Sequence, residues 1–342
     1  MKKNSLAPLL LAAAVAALCV SSAKAAGVVN IYSYRQPELI QPLLDLFTKK
    51  TGIATRMIYA DKGLVERLGQ EGPLSPADLL LTADVGRLAD ATSKGLGQPV
   101  IDASITSKIP PNLRSPDNQW FGLTLRGRVV YASQTRVAQN AISYEDLADP
   151  KWKGKICTRP GDHPYNLGLI ASMIGARGRD ATKAWLTGLK ANLAIKPSGT
   201  DRSQAQSIFA GECDLALGNT YYVGLMATND KEPEQKDWAK AIKIIFPNSP
   251  QMSTNVNISG MLLTKAAPDK DNAIQLMEFL ASDEAQVAYA ALNFEYPANP
   301  AVPPAPIVAS WGTLPRDHIN LGDIAKYQKD AADLVDETGF NN

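Results

Sequence analysis

Histidine is almost missing from this chain: His163 and His318 are the two in 342 residues, and no Gly-x-Ser-x-Gly motif accompanies them. Neither stands in a triad or zinc-binding context, which makes a secreted hydrolase the most distant of the functions considered. Cysteine is equally scarce, at Cys19, Cys157 and Cys213, and offers no soft-metal cluster. Charge of one sign is lacking too: 35 Lys and Arg face 34 Asp and Glu. Without a basic surface, neither nucleic acid nor an anionic membrane is expected as a partner. The longest apolar run, 9–20, covers 12 residues and is too short to cross a bilayer. Low-complexity linkers and internal repeats are absent as well, so any second domain is expected to interleave with the first.

What is present begins with a secretory leader, expected over 1–25. Lys2 and Lys3 form its basic start, 9–20 its apolar stretch, and Ala23-Lys24-Ala25 the small residues before a cleavage at Ala26. Leu18, standing before Cys19, disfavours a lipid anchor. Export removes Lys2, Lys3 and Lys24 and leaves a mature charge of about −2. It also leaves Cys157 and Cys213, which in an oxidising compartment most simply form one disulfide. That bond closes a loop of about 57 residues, worth roughly 4 kcal/mol in the chain-entropy model.

The mature chain exceeds one comfortable core, so two domains are expected. Its start alternates strand and helix: strands over 28–33, 53–59 and 78–82, helices over 39–51, 64–70 and 87–94. Such alternation predicts a parallel sheet whose ligands lie beyond the carboxyl ends of its strands. From 120 to 133 two strand-like runs surround Arg126 and Arg128 with no helix between, the pattern of a strand crossing between lobes. A second α/β block follows, and 256–264 is expected to cross back. The fold class is α/β, a two-lobed clamshell with crossing hinge strands. The first lobe is expected over 26–125 with about 258–296, the second over 126–257 with about 297–342.

Chemistry concentrates in tyrosines. Tyr221 and Tyr222 follow the strand expected over 213–217, and Tyr165 follows another over 154–158. At strand-to-helix junctions these phenols can turn into one cleft and place three negative charges on one hard trivalent cation; packing as half-buried aromatics is the alternative. Arg35, at the end of the first strand, and Arg126, at the crossing, can offer forked hydrogen bonds to a planar anion. Tyr34 faces the cleft if Tyr32 faces the core. Asp61, Lys62 and Asp84 sit at strand ends and are expected to shape the first-lobe wall. His163, alone in its loop, is expected to face solvent.

Several stretches in order carry a resemblance: Ile31-Tyr32-Ser33-Tyr34-Arg35-Gln36-Pro37, Tyr59-Ala60-Asp61-Lys62-Gly63-Leu64, Asn118-Gln119-Trp120-Phe121-Gly122-Leu123-Thr124, Gly218-Asn219-Thr220-Tyr221-Tyr222 and Asn257-Ile258-Ser259-Gly260. Over essentially the whole mature chain it resembles the periplasmic ferric-ion-binding proteins of ABC transporters. The resemblance implies a periplasmic-binding-protein clamshell that is not an enzyme. It implies Fe3+ held by Tyr165, Tyr221 and Tyr222, with carbonate or bicarbonate as a synergistic anion near Arg35, Arg126 and Tyr34. It also implies delivery to an ABC permease of the inner membrane, with the protein in the periplasm as a monomer. Many relatives add a histidine after the first strand and some a glutamate after the third, where this chain has Gln36 and Ala83. That departure points to the subgroup relying on second-lobe tyrosines. A periplasmic binder of an oxyanion or a polyamine remains the alternative within the same class.

Overall fold

The computed structural model describes residues 27–315 and 321–342. The expected leader and His318 lie outside the described residues. Nine strands form one sheet: β1 (Val28–Ser33), β2 (Ala54–Tyr59), β3 (Leu79–Thr82), β4 (Trp120–Ser133), β5 (Ile156–Cys157), β6 (Leu215–Asn219), β7 (Ile242–Ile245), β8 (Asn255–Leu263) and β9 (Tyr296–Pro297). Their path is β2-β1-β3-β8-β4-β6-β5, with β7 and β9 also paired to β4. The flanks β2-β1-β3 and β6-β5 are parallel, as the strand–helix alternation demands, and the centre is antiparallel.

β4 is one unbroken strand of 14 residues, where two runs were expected. Its first half pairs with β8 and β9, and its second half with β6 and β7. It therefore belongs to both lobes, and all of its residues are buried, as a strand covered on both faces must be. On either side sit separate apolar cores. One gathers β1, β3, the first part of β4 and the helices Pro37–Thr51 and Lys270–Ala281 around Phe47, Leu80, Phe121 and Leu276. The other is built on helices Pro164–Arg177 and Arg179–Ala191 around Ile170, Trp185 and Leu217. A smaller cluster under helix Asp201–Ala210 includes Val129, Tyr131 and Ile208. The stretch after 297 feeds both main cores: Val308, Leu321 and Ile324 join the first, and Ala331, Leu334 and Phe340 the second.

Two local devices fix the strands that matter most. Cys157 on β5 and Cys213, just before β6, are bonded as expected, with their Cα atoms 5.9 Å apart. Gly218 on β6 lies against the buried ring of Tyr131, whose hydroxyl donates to the Asn219 carbonyl. A Cβ at Gly218 would fall 2.1 Å from that ring. Because the Tyr131 hydroxyl is tied, the ring cannot swing aside. Gly218→Ala should therefore destabilise the fold by about 1–3 kcal/mol, the usual cost of overpacking. A urea midpoint equal to wild type would show that the ring yields.

Candidate functional site

Both tyrosine-bearing loops are strand-to-helix turns of parallel neighbours. β6 runs directly into helix Thr220–Ala227, which puts Tyr221 and Tyr222 in its first turn. β5 leads to helix Pro164–Arg177, which puts Tyr165 in the same position of its own first turn. Free N–H groups and the positive end of the helix dipole gather there, and both favour a negative oxygen. The two turns meet: Tyr165 Oη lies 3.0 Å from Tyr221 Oη, and the rings of Tyr221 and Tyr222 are 4.3 Å apart. Tyr221 is buried, while Tyr222 and Tyr165 are half-buried.

Arginines surround these phenols. The guanidiniums of Arg159 and Arg126 lie 5.1 and 5.7 Å from the Tyr165 ring, and that of Arg202 lies 5.2 Å from the Tyr222 ring. Arg35, Arg126, Arg128 and Arg159 are all buried, the first three to within 2% of full burial. Two buried carboxylates answer them. Glu295 pairs with Arg35 at 3.1 Å and approaches Arg126 at 4.0 Å, and it accepts from the hydroxyls of Thr124 and Ser259. Asp201 pairs with Arg128 at 2.8 Å and Arg159 at 3.1 Å. These four cations share two ion-paired carboxylates, while the buried Asp84 accepts from Asn257 nearby. The buried Nε–H groups of Arg35, Arg126, Arg128 and Arg159 have no partner among the described residues. A cavity of about 10 Å³, room for a single water, opens between Arg126, Arg128, Tyr165, Asn219, Asn255 and Asn257.

Burial pushes the Tyr221 phenol well above its usual range, and the neighbouring phenols Tyr165 and Tyr222 push the same way while Arg126 opposes them. Burial and Tyr165 also raise Tyr222. Both are therefore protonated at neutral pH. For Arg35, burial opposes the charge, but Glu295 and the phenols Tyr289, Tyr221 and Tyr165 outweigh it and hold the guanidinium charged.

The expected site residues are distributed as follows. Tyr165, Tyr221 and Tyr222 come together, with Arg35 and Arg126 at their side. Arg126 also donates to the Ala83 carbonyl, so it touches the end of β3. Arg35 is an interior ion-pair partner. Tyr34 stands apart on the first-lobe wall, where its oxygen accepts the Val65 N–H at 2.9 Å and its ring lies 3.9 Å from the Arg87 guanidinium. Asp61 and Lys62 are exposed, and the Asp61 carbonyl accepts from Arg87. Asp84 caps helix Val85–Ser93 and accepts from Asn257 of β8. His163 corrects the expectation of a solvent-facing side chain. It is half-buried, its Nδ1 accepts the Tyr165 N–H at 3.2 Å, and its ring packs edge-on against Tyr165. Burial, and then Arg159, lower it to about 3, so the imidazole is neutral and free to accept.

Glu295, Asp201 and Arg159 were missed by sequence reasoning. A signal existed: Arg126-Gly127-Arg128 inside an otherwise apolar strand calls for buried counter-charges. Nothing in the sequence says which acids supply them. Among the described residues no group of three His, Cys, Asp or Glu side chains is placed to hold a metal ion.

Residues 43–316 match the family model for bacterial extracellular solute-binding proteins. The chain belongs to that family. Within it, Iron uptake protein A2 of Synechocystis sp. is 41% identical over 315 residues, which span 91% of this chain and 90% of that protein. Apo ferric ion-binding protein A of Pasteurella haemolytica superposes with a TM-score of 0.87 at 47% identity, over 92% of this chain and 98% of that one. A Trichodesmium protein in complex with iron and citrate gives 0.86 at 40% identity, over 92% and 100%. As in those solute-binding proteins, the fold is two-lobed. In this chain the tyrosine cluster lies beside β4, whose Arg126 faces the Tyr165 ring.

Among the described residues Glu295 is the acid ion-paired with Arg35 and Arg126. Glu295→Ala strands Arg35 and Arg126 without that partner and should cost about 3–5 kcal/mol, the range for breaking a buried pair. Denaturant unfolding checks this. A loss below 1 kcal/mol would mean that water reaches the pair.

Proposed function

We propose that this protein captures ferric iron in the periplasm and delivers it to an ABC-type permease of the inner membrane, after export with cleavage of its leader. The observation that carries this reading is the convergence of three phenols from two helix N-termini into an arginine-rich interior. Fe3+ is a small, hard cation that favours anionic oxygen. Three phenolates would cancel its charge, and the metal would offset the cost of ionising Tyr221 and Tyr222, whose burial keeps them protonated. The phenolates would leave coordination positions open for a small anion such as carbonate. Arg35 and Arg126, with unpartnered buried Nε–H groups, are the donors best placed to receive that anion. Tyr34, whose oxygen already accepts from Val65, has only its O–H left to contribute. The relatives named for iron support the choice of cargo.

The unpartnered guanidinium groups also favour a second reading, in which the ligand is an oxyanion alone. Colour separates the two. Phenolate bound to Fe3+ should give an orange-red charge-transfer band, and an oxyanion none. A polyamine fits poorly among buried arginines.

Replacing both Tyr221 and Tyr222 with Phe keeps the rings and removes two oxygens, so ferric affinity and the visible band should collapse together. Calorimetric binding at wild-type strength in the double variant would refute the ligand assignment.

Acidity offers an independent check. Tyr221 and Tyr222 have raised values in the metal-free protein, so they hold their protons throughout the neutral range and must release them on binding. Protons and iron compete, and affinity should rise with pH by more than tenfold per unit, up to one decade for each proton displaced. A titration series from about pH 8 to pH 5 with constant affinity would exclude phenolate ligation.

A further inference from the structure

We propose that Asp201 is the positioning residue of the tyrosine cluster, one buried carboxylate whose two oxygens fix both tyrosine-bearing turns at once. The proposal rests on the ferric-binding reading above. Asp201 Oδ2 accepts the Asn219 N–H at 2.9 Å and Arg128 Nη1 at 2.8 Å. Asn219 is the residue before helix Thr220–Ala227, so this bond holds the turn that aims Tyr221 and Tyr222. Asp201 Oδ1 accepts Arg159 Nη1 at 3.1 Å, and the Arg159 guanidinium lies on the Tyr165 ring. A second route reaches the same turn. Arg128 Nη2 donates to Asn166 Oδ1 at 2.8 Å, and Asn166 Nδ2 donates back to the carbonyls of Arg159 and Pro160. Arg128 Nη1 also touches Asn219 Oδ1 at 3.1 Å, which closes the loop between the two turns.

The carboxylate is itself held in place. It is fully buried in the first turn of helix Asp201–Ala210, where the helix N-terminus favours its charge, and Thr200 and Ser203 form a capping box around it. It touches none of the three phenol oxygens. Its role is therefore to set the separation of Tyr165 from the Tyr221–Tyr222 pair, which a metal with fixed bond lengths requires to within about 0.5 Å.

The test uses the full mature protein, with ferric iron supplied from citrate and binding read by competition against citrate and by the visible band. Asp201→Asn keeps the size and removes the charge that binds Arg128 and Arg159. Ferric affinity should fall roughly 10- to 100-fold, the usual cost of losing an outer-shell partner, and the band should shift. Wild-type affinity with an unshifted band would overturn the proposal. If Asp201→Asn does not fold, Arg159→Met decides instead, because it leaves Asp201 and Arg128 paired one to one. That variant should weaken iron binding and shift the band in the wild-type background, and do neither in a Tyr165→Phe background. Equal losses in the two backgrounds, or no loss in either, would overturn it. A wild-type protein without the band would instead defeat the ferric reading, and this proposal with it.

Discussion

Two buried carboxylates, Glu295 and Asp201, make the rest of this structure possible. Without them Arg35, Arg126, Arg128 and Arg159 could not be taken out of water, and without those arginines the tyrosines would face an ordinary apolar interior. Yet the compensation is incomplete. Four arginines share two ion-paired carboxylates, and their Nε–H groups, without a partner among the described residues, lie beside three phenols. A hydrophobic core of the same shape would be cheaper to fold, since buried ion pairs seldom stabilise a protein. The proposed ligand would answer that arrangement.

Rigidity is graded around that interior. Strands β5 and β6 are joined by the Cys157–Cys213 bond and by parallel pairing of Ile156 with Leu215 and Cys157 with Ala216. The turns that follow them start from a fixed base. Gly218 lets the ring of Tyr131 pack directly under β6, His163 caps one helix start with its side chain, and the Asn219 N–H is held by Asp201 before the other. The first-lobe side is built differently. Gln36 caps nothing with its side chain, and Ala83 presents a carbonyl to Arg126. The three clustered phenols stand on one side of the crossing, and the other side contributes mainly charge.

Much of this was legible in the sequence, for identifiable reasons. Parallel strands and amphipathic helices have strong periods, so β1 came out at 28–33 as expected and the helix ending at Gly52 stopped where that glycine turns left-handed, at φ 75°. The tandem tyrosines after a buried strand are a local signal, and the turn geometry followed from it. Long-range pairing was not legible. Glu295 lies in a segment that resembles any helix-to-strand connection, and Asp201 sits in the first turn of a helix, where acids are commonplace. Their meaning comes from arginines 42 and 73 positions away for Asp201 and farther still for Glu295. His163 was misjudged for the opposite reason. Its role as a neutral cap depends on Arg159 and on burial, neither of which a lone loop histidine reveals.

Arg126 and Arg128 are two residues apart on β4, so their side chains leave the same face of the strand roughly 6–7 Å from each other. One is directed to Glu295 and the end of β3, the other to Asp201 and the tyrosine turns. Between those two residues one edge of β4 changes its neighbour, from β9 before Arg126 to β6 from Arg128 onward. Glu295 stands directly before β9, and Asn219, which accepts from Arg128, ends β6. A shift of either neighbour along that edge would move positive charge relative to the phenols.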